Sequence, residues 1–480
     1  MKNIISKFKI WLLIVPVLSM LSSCTEKLDI MPKQSIDAEV ALTTPDNIKT
    51  ALVGAYLQAS STGIFGSYFN EYSELYAATG DMLFMGTYQQ PREFINKEAT
   101  TTNSYVEFTW TEAYKLINTC NTLLQEDVLA LLDASDKDKV QGEALFLRGW
   151  VVFEMTRLYS LPYEPGEANA QPGIPLVLTP TRDVKDAIPV ARSTVAECYT
   201  RAIDDLTSAR DLLPGENDVY ATSFAASAVL ARLYLQMGNF SAAATEANNV
   251  IENGTFILTS TPFRAFNNSE NSTEDIFAIQ KNATSAVNWL TVMYGSLAGA
   301  GRGDYEIQQS FLARFDPADL RGMYQEDTQE GYVIGDISMM YYTGVGTILN
   351  SGGINTAKWG DYYKNIPLIR LAEMYLIRAE ANFEDAGADV GPNTPTQDIN
   401  VIRDRSNAPA YVGTVTRQQI RDERYFELAW EGHRLHDLKR WKMNIGSDAY
   451  DAGNLILPIP FREMEVNDLL EQNDWYTSGK

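Results

Sequence analysis

Apolar side chains recur every three or four residues over long stretches of the chain, which is the period of an amphipathic helix. One stripe contains Trp110, Ala113, Tyr114, Ile117, Asn121 and Leu124, and a second runs from Ala144 to Leu158. A third begins at the capping pair Ser193-Thr194 and ends at Pro214-Gly215. The pattern predicts a mainly α-helical protein.

Small and aromatic residues between 226 and 251 have the spacing of a tetratricopeptide unit. They are Ala231, Tyr234, Gly238, Phe240, Ala243, Ala247 and Val250. The alanines let two antiparallel helices approach closely, and Gly238 makes the turn between them. Leu371–Phe383 and Thr396–Arg405 form a second candidate pair. We therefore expect a tetratricopeptide-like helical-repeat scaffold rather than a generic helical bundle.

Two stretches interrupt this helical pattern. Residues 61–108 place glycines among dense aromatics, and residues 255–365 are rich in Gly, Asn, Ser, Tyr and Trp without a helical period. The second stretch is too long for a plain loop. We predict an irregular, loop-rich inserted subdomain with a few short strands, and a scaffold at approximately 40–60, 109–254 and 366–441. Binding sites usually lie on such loops.

The N-terminus has the features of a secretory signal. Three lysines precede an apolar run from Ile10 to Leu21, which is too short to span ~30 Å of hydrocarbon but suits a signal peptide. The run ends in Leu21-Ser22-Ser23-Cys24, which resembles a bacterial lipobox. We predict a signal peptide at residues 1–23 and lipidation of Cys24, with acyl chains as the membrane attachment. The alternative is a free cysteine after an ordinary signal peptide.

Cys120 and Cys198 are the two cysteines that remain. They could pair in an oxidising compartment, but each lies in a helical pattern. We favour buried free thiols, because cysteine is among the most buried residue types.

Charge and composition exclude several functions. The chain has 62 acidic against 39 basic residues, a net charge of −23, and would repel nucleic acid. Its two histidines are His433 and His436. Most hydrolase active sites use histidine as a general base, so a hydrolase is disfavoured. Without a further histidine or cysteine nearby we predict no metal site there. The Walker A, GxSxG and HExxH motifs are absent from the sequence.

Three acids recur every four residues at Glu423, Glu427 and Glu431. A retaining glycosidase needs two carboxylates ~5–5.5 Å apart. However, the interleaved Arg424, Arg434 and Arg440 would keep these acids ionised rather than raise the pKa of one. The pattern favours a structural ion-pair ladder.

Motifs spread over almost the whole chain together resemble the SusD/RagB family. After the lipobox they include Leu28-Asp29-Ile30, Gly142-Glu143-Ala144, Gly173-Ile174-Pro175-Leu176, Ile366-Pro367-Leu368, Glu423-Arg424, Glu431-Gly432, Arg440-Trp441 and Leu457-Pro458-Ile459-Pro460. The resemblance implies a single domain at 24–480. It also implies a surface-facing outer-membrane lipoprotein that captures a glycan and delivers it to a SusC-like, TonB-dependent β-barrel, without catalysis or a cofactor.

Sugar rings pack their C–H faces on aromatic side chains, and polar side chains bind the hydroxyls. Tyr68, Tyr72 and Tyr76 lie at helical spacing and are predicted to be core. The predicted ligand contacts lie in the two irregular stretches and are Asp81, Tyr88, Tyr105, Trp289, Tyr294, Arg302 and Tyr305.

The leading hypothesis is therefore a glycan-binding lipoprotein. A helical-repeat scaffold that binds only protein partners is the runner-up, and its mark would be a broad apolar patch. A glycoside hydrolase comes third.

Overall fold

The computed structural model describes residues 42–78, 80–183, 186–346, 348–349, 351–385 and 389–477. The signal peptide, the lipobox and Cys24 lie outside the described residues, so their interpretation stays a prediction.

Helices dominate the described chain, as the sequence predicted. In chain order they are α1 (Pro45–Ala59), α2 (Tyr68–Ala77), α3 (Gln89–Ile95), α4 (Ser104–Leu123), α5 (Glu126–Leu129), α6 (Ala134–Tyr159), α7 (Val195–Leu212), α8 (Ser223–Met237), α9 (Phe240–Asn253), α10 (Trp289–Tyr294), α11 (Gln309–Leu312), α12 (Leu371–Glu384), α13 (Pro395–Arg405), α14 (Arg417–Leu428), α15 (Arg434–Arg440), α16 (Phe461–Val466) and α17 (Asp474–Thr477). Among the described residues, no helix is both long and apolar enough to cross a bilayer.

The predicted tetratricopeptide unit is the antiparallel pair α8 and α9, and this prediction is confirmed. The Thr222 side chain caps α8 by accepting a hydrogen bond from the backbone N–H of Ala225. Gly238 ends the helix with φ of 70°, a left-handed conformation that suits glycine. Ala231 and Ala243 are fully buried. The second predicted pair is also confirmed, as α12 and α13.

Buried charged side chains join the helices of the scaffold. Arg148 of α6 donates to both carboxylate oxygens of Asp205 in α7 at 2.7 and 2.8 Å, and to Asn121 of α4 at 2.9 Å. Arg378 of α12 binds Asp398 of α13 in the same two-pronged way, at 2.8 and 2.7 Å. Such paired bonds fix orientation as well as distance.

The insert contains most of the short strands. These are β1 (Met82–Phe84), β2 (Asp275–Ile279), β3 (Tyr305–Ile307), β4 (Tyr324–Gln325), β5 (Tyr341–Thr343), β6 (Ile354–Thr356) and β7 (Ile366–Arg370). One sheet has the order β1-β3-β6-β5-β4 and a second pairs β2 with β7. The β4–β5 pair is parallel, and the others are antiparallel.

The first irregular stretch is more helical than its composition suggests. Residues 61–108 contain α2, α3 and the start of α4. The cause lies in the predicted stripe, since Tyr68, Tyr72 and Tyr76 are all buried along α2.

Both described cysteines are free thiols. Cys120 and Cys198 are completely buried, as the sequence favoured. Burial raises the pKa of the Cys120 thiol to about 12.

Candidate functional site

Strand pairing brings the two irregular stretches together. Strand β1 lies antiparallel to β3, with Phe84 opposite Tyr305. One residue beyond the strand, the backbone N–H of Met85 donates to the carbonyl of Asp304 at 2.7 Å. The loop after β1 and the loop before β3 therefore run side by side, although more than 200 residues separate them in the sequence.

Tyr88 and Arg302 meet across these two loops. The guanidinium of Arg302 lies 4.5 Å from the centre of the Tyr88 ring. It is held there by Asp304, whose carboxylate accepts from Nε of Arg302 at 2.9 Å. Asp304 is fully buried, and burial raises the pKa of its carboxyl group against the lowering effect of Arg302. The arginine is thus oriented before any ligand arrives.

Trp289 and Tyr105 extend this surface. Trp289 is the first residue of α10, where Asn288 caps the helix by accepting from the Leu290 N–H at 3.0 Å. Its ring centre lies 6.4 Å from that of Tyr88, with 33° between the ring planes. Tyr105 stacks on Tyr68 at 4.0 Å and 11°.

Four of the predicted residues therefore form one surface. Tyr88, Tyr105, Trp289 and Arg302 are all half-buried, which leaves part of each side chain accessible. Burial raises the pKa of the Tyr105 hydroxyl, and Tyr88 and Trp289 are among the neighbours that modify it. We call these four residues the aromatic patch.

Tyr294 and Tyr305 lie beneath this surface rather than on it. Both are completely buried and pack edge to face, with ring centres 4.7 Å apart. The Tyr305 hydroxyl donates to the buried carboxylate of Glu71. The sequence predicted both as ligand contacts, but fully buried rings offer no face to a sugar, so we leave them out of the site.

Asp81 is also engaged within the protein. It is 6% exposed, pairs with Arg314 and accepts from the Tyr425 hydroxyl at 3.0 Å. Neither partner belongs to the aromatic patch. Asp81 orders the start of β1, and we leave it out of the site too.

Two supporting residues were missed by the sequence reasoning. Gly86 follows Phe84 and Met85 at the point where the loop passes Asp304. Tyr362 accepts a hydrogen bond at its hydroxyl from the Gly301 N–H at 2.7 Å, which positions the loop that carries Arg302. For Gly86, the available signal in the sequence was a glycine placed among aromatic residues. The role of Tyr362 depends on a contact between residues 61 positions apart, which a local sequence pattern does not predict.

Comparison with known proteins decides the family. The model described as "Starch-binding associating with outer membrane" matches residues 27–235, and the model described as "SusD family" matches residues 333–455. The chain belongs to the SusD family.

Individual relatives agree with the family assignment. This SusD-family chain is 24% identical to SusD-like protein P2 of Formosa agariphila, over 98% of the chain and 99% of the relative. It is 34% identical to the starch-binding protein SusD of Bacteroides thetaiotaomicron, over 30% of the chain and 31% of the relative.

Solved structures show the same helical fold. A SusD superfamily protein from Bacteroides thetaiotaomicron superposes with a TM-score of 0.78 at 25% identity, covering 90% of this chain and all of that one. A putative sugar binding protein from Bacteroides vulgatus gives 0.75 at 26% identity, covering 91% and 99%.

The acidic motif of this SusD-family protein is an ion-pair ladder, but its partners differ from those the sequence predicted. The contacts are Arg321 and Arg403 with Glu423 at 2.6 and 2.8 Å, Arg370 and Arg405 with Glu427 at 3.1 and 2.5 Å, and Lys358 and Arg370 with Glu431 at 2.6 and 2.7 Å. Burial alone would raise the pKa of Glu427, but Arg405, Arg370, Arg321 and Lys358 outweigh it and lower the pKa. The acid therefore stays ionised.

The neighbouring arginines of the motif serve other contacts. Arg424 pairs with Asp437 at 2.8 Å, and Arg440 pairs with Glu380 and Asp437. Arg434 lies 3.8 Å from the centre of the Tyr425 ring. The sequence interpretation of these three as partners of the ladder was wrong, because each makes other contacts, and Arg434 and Arg440 lie on α15, which carries none of the three acids.

His433 and His436 are buried and neutral. Burial and the nearby arginines lower the pKa of both imidazoles well below the ordinary value. Among residues 42–477, apart from the few not described, no group of histidine, cysteine and acidic side chains is arranged to hold a metal ion.

Proposed function

We propose that this protein binds a glycan at the aromatic patch and passes it to a SusC-like, TonB-dependent barrel in the outer membrane. The membership of a family described as starch-binding and outer-membrane-associated supports this. So do the relative named starch-binding protein and the structure named putative sugar binding protein. The single observation that carries the proposal is the meeting of Tyr88, Trp289 and Arg302 on one accessible surface.

The patch has the chemistry that a sugar needs. The Trp289 and Tyr88 rings would accept the apolar C–H face of a pyranose, while N–H groups of Arg302 donate to its hydroxyls. Because Asp304 already orients Arg302, less side-chain entropy is lost on binding. Delivery to a transporter also requires release, so we expect dissociation constants on the order of micromolar to millimolar, or ~4–8 kcal/mol.

Calorimetry against a panel of neutral oligosaccharides, starch fragments included, tests the site. Trp289→Ala and Tyr88→Ala should each weaken binding by roughly 1–3 kcal/mol, the magnitude of a comparable aromatic–base stack. Trp475→Ala is the matched control, because Trp475 is a part-exposed tryptophan of α17, outside the patch. Added salt should barely change the affinity for a neutral sugar. If both patch variants fold and bind like the wild type, the site lies elsewhere.

Binding is proposed to occur without turnover. Glu423 and Glu427 are held by arginines on the ladder, which suits a structural role. Incubation of the purified protein with the glycan that binds best should release no reducing sugar. Turnover abolished by Glu423→Gln, with folding intact, would establish an enzyme instead.

Anchoring and delivery form the remaining part of the proposal. We infer that lipid on Cys24 attaches the protein to the outer membrane with the aromatic patch outside the cell. Cys24→Ala should yield soluble protein, and protease added to intact cells should degrade the wild type. Complete protection from protease would contradict the surface location.

The partner is tested separately. The wild type extracted in mild detergent should copurify with a β-barrel transporter. If no glycan binds while a partner protein copurifies, the scaffold interpretation replaces this one.

A further inference from the structure

A cavity of about 250 Å³ with several charged side chains in its walls lies in the helical scaffold, away from the aromatic patch. Its walls come from residues 163–165 after α6, from the α8–α9 turn, from α12, from the start of α14 and from the end of α15 with the residues that follow it. None of the four patch residues lines it. The cavity therefore needs a separate explanation.

Positive charge exceeds negative charge in its walls. The cations are Arg417, Arg421, Lys439, Arg440 and Lys442, and the acids are Glu164, Glu380 and Glu384. Each acid has its own cation, because Arg417 binds Glu384, Arg440 binds Glu380 and Lys442 binds Glu164. Arg421 and Lys439 are left without a carboxylate within 4.0 Å among the described residues. This local excess occurs in a chain whose net charge is −23.

Arg421 is held in place but not neutralised. Its guanidinium lies 5.0 Å from the centre of the Trp441 ring, and Nη1 contacts the sulfur of Met443 at 3.7 Å. Trp441 is fixed in turn because its indole N–H donates to Glu380 at 2.6 Å. Nε of Arg421 is buried and has no hydrogen-bond partner among the described residues. A buried, unpaired donor of this kind is costly to leave unsatisfied.

Lys439 is the second basic side chain of the cavity wall that has no carboxylate partner among the described residues. It is 3% exposed, and its ammonium group donates to the carbonyl of Leu455 at 2.8 Å. Burial, with the charge of Arg157, lowers the pKa of Lys439 to about 7. An ammonium group has three donors, and among the described residues the Leu455 carbonyl is the one acceptor for this group. A negative group in the cavity would stabilise both cations.

We propose that this cavity binds a small oxyanion, either a tetrahedral phosphate or sulfate or a planar carboxylate, with Arg421 as the main ligand. A guanidinium presents paired donors that match such oxygens. The volume of about 250 Å³ holds one such group together with a few waters of ~30 Å³ each. The site is independent of glycan binding and of the aromatic patch.

The test titrates the purified mature protein separately with phosphate, sulfate and acetate in a calorimeter, at constant ionic strength set with sodium chloride. Saturable one-to-one binding of at least one anion is expected. Arg421→Gln should weaken it by at least ~10-fold. Arg462→Gln is the control, because Arg462 is a 74%-exposed arginine paired with Glu107 away from the cavity. Preference for phosphate and sulfate over acetate identifies a tetrahedral ligand, and the reverse identifies a carboxylate.

A second variant keeps the test decisive if Arg421→Gln does not fold. Arg417 is 55% exposed, so Arg417→Gln should fold and release Glu384 to pair with Arg421. That substitution should also weaken anion binding. The absence of saturable binding by all three anions up to ~10 mM overturns the proposal. So does equal binding by the wild type and a folded Arg421→Gln variant.

Discussion

Gly86 lies directly against the carboxylate of Asp304. A Cβ atom built on Gly86 would stand 2.2 Å from Oδ1 of Asp304 and 2.5 Å from the Phe84 ring. Any side chain at this position must displace the group that holds Arg302 over Tyr88. The glycine is therefore required by the close approach of the two loops, not by an unusual backbone angle.

The first prediction is that Gly86→Ala disturbs both stability and binding. Overpacking of this kind costs roughly 1–3 kcal/mol, and displacement of Asp304 should release Arg302 and weaken glycan binding. Urea denaturation and calorimetry measure the two effects. Gly54→Ala is the control, because nothing lies within 4 Å of the added Cβ in the middle of α1. It should be neutral or stabilise by ~0.5–1 kcal/mol. If Gly86→Ala binds the glycan as tightly as the wild type, the orientation of Arg302 by Asp304 does not contribute to glycan binding.

The second prediction contrasts the two buried tyrosines beneath the patch. The Tyr294 hydroxyl is buried without a hydrogen-bond partner among the described residues, whereas the Tyr305 hydroxyl donates to Glu71. Tyr294→Phe should therefore raise the free energy of unfolding, by ~1 kcal/mol, and Tyr305→Phe should lower it by ~1–3 kcal/mol. Urea denaturation of the two variants compares them directly. Equal effects would show that the two hydroxyls have equivalent surroundings.

The third prediction concerns the pH dependence of Glu71. Burial raises its pKa to about 7, against the lowering effect of hydrogen bonds from Ser67 and Tyr305. The unfolded carboxyl has an ordinary pKa of ~4.3. The folded protein therefore binds this proton more tightly, and the stabilisation present below pH ~4 is lost as pH rises to ~7.

Glu71→Gln removes this titration. The unfolding free energy of the wild type, minus that of Glu71→Gln, should fall by at most ~3 kcal/mol between pH 5 and pH 8. Other buried acids titrate equally in both proteins and cancel in the difference. A difference that stays constant over this range, or rises, would contradict the raised pKa.

The fourth prediction concerns the ladder acid Glu427. Its pKa is lowered by Arg405, Arg370, Arg321 and Lys358, which outweigh the effect of burial. Glu427→Gln leaves these cations uncompensated and should cost ~3–5 kcal/mol at pH 7. Because the folded pKa is depressed, the contribution of the carboxylate is present above pH ~4.3 and is lost as pH falls below it.

Denaturation at pH 7 and at pH 3 measures this change. The difference between wild type and Glu427→Gln should shrink at the lower pH. Glu384→Gln is the control, since Glu384 pairs with the exposed Arg417 and such pairs contribute ~0–1 kcal/mol. If Glu427→Gln and Glu384→Gln lower the free energy of unfolding equally, the buried ladder stabilises the fold no more than an exposed ion pair does.

The local parts of the fold were predictable from sequence. The α8–α9 pair follows from the spacing of small residues and from Gly238, all within one short segment. Helix α2 follows from three tyrosines at intervals of four. These features depend on neighbours along the chain, which a sequence pattern records directly.

The long-range parts were not predictable in the same way. The β1–β3 pairing joins two three-residue strands. Strands this short contain too little hydrophobic alternation for their register to be predicted from sequence. It decides that Tyr88 and Arg302 meet and that Tyr305 is buried. Likewise, the acids of the ladder were recognised, but Arg321 and Arg370 come from distant segments and could not be assigned to them from spacing.

The ladder also determines how the molecule can move. Lys358 of the insert and Arg370 at the end of β7 both hold Glu431, next to the end of α14. Swinging the insert against the helices would break these contacts, at ~3–5 kcal/mol for each buried charge left alone. In the delivery role proposed above, the protein would therefore move against the transporter as one rigid body. Mutations at the surface that contacts the transporter, rather than within the helices or the insert, would then change that movement.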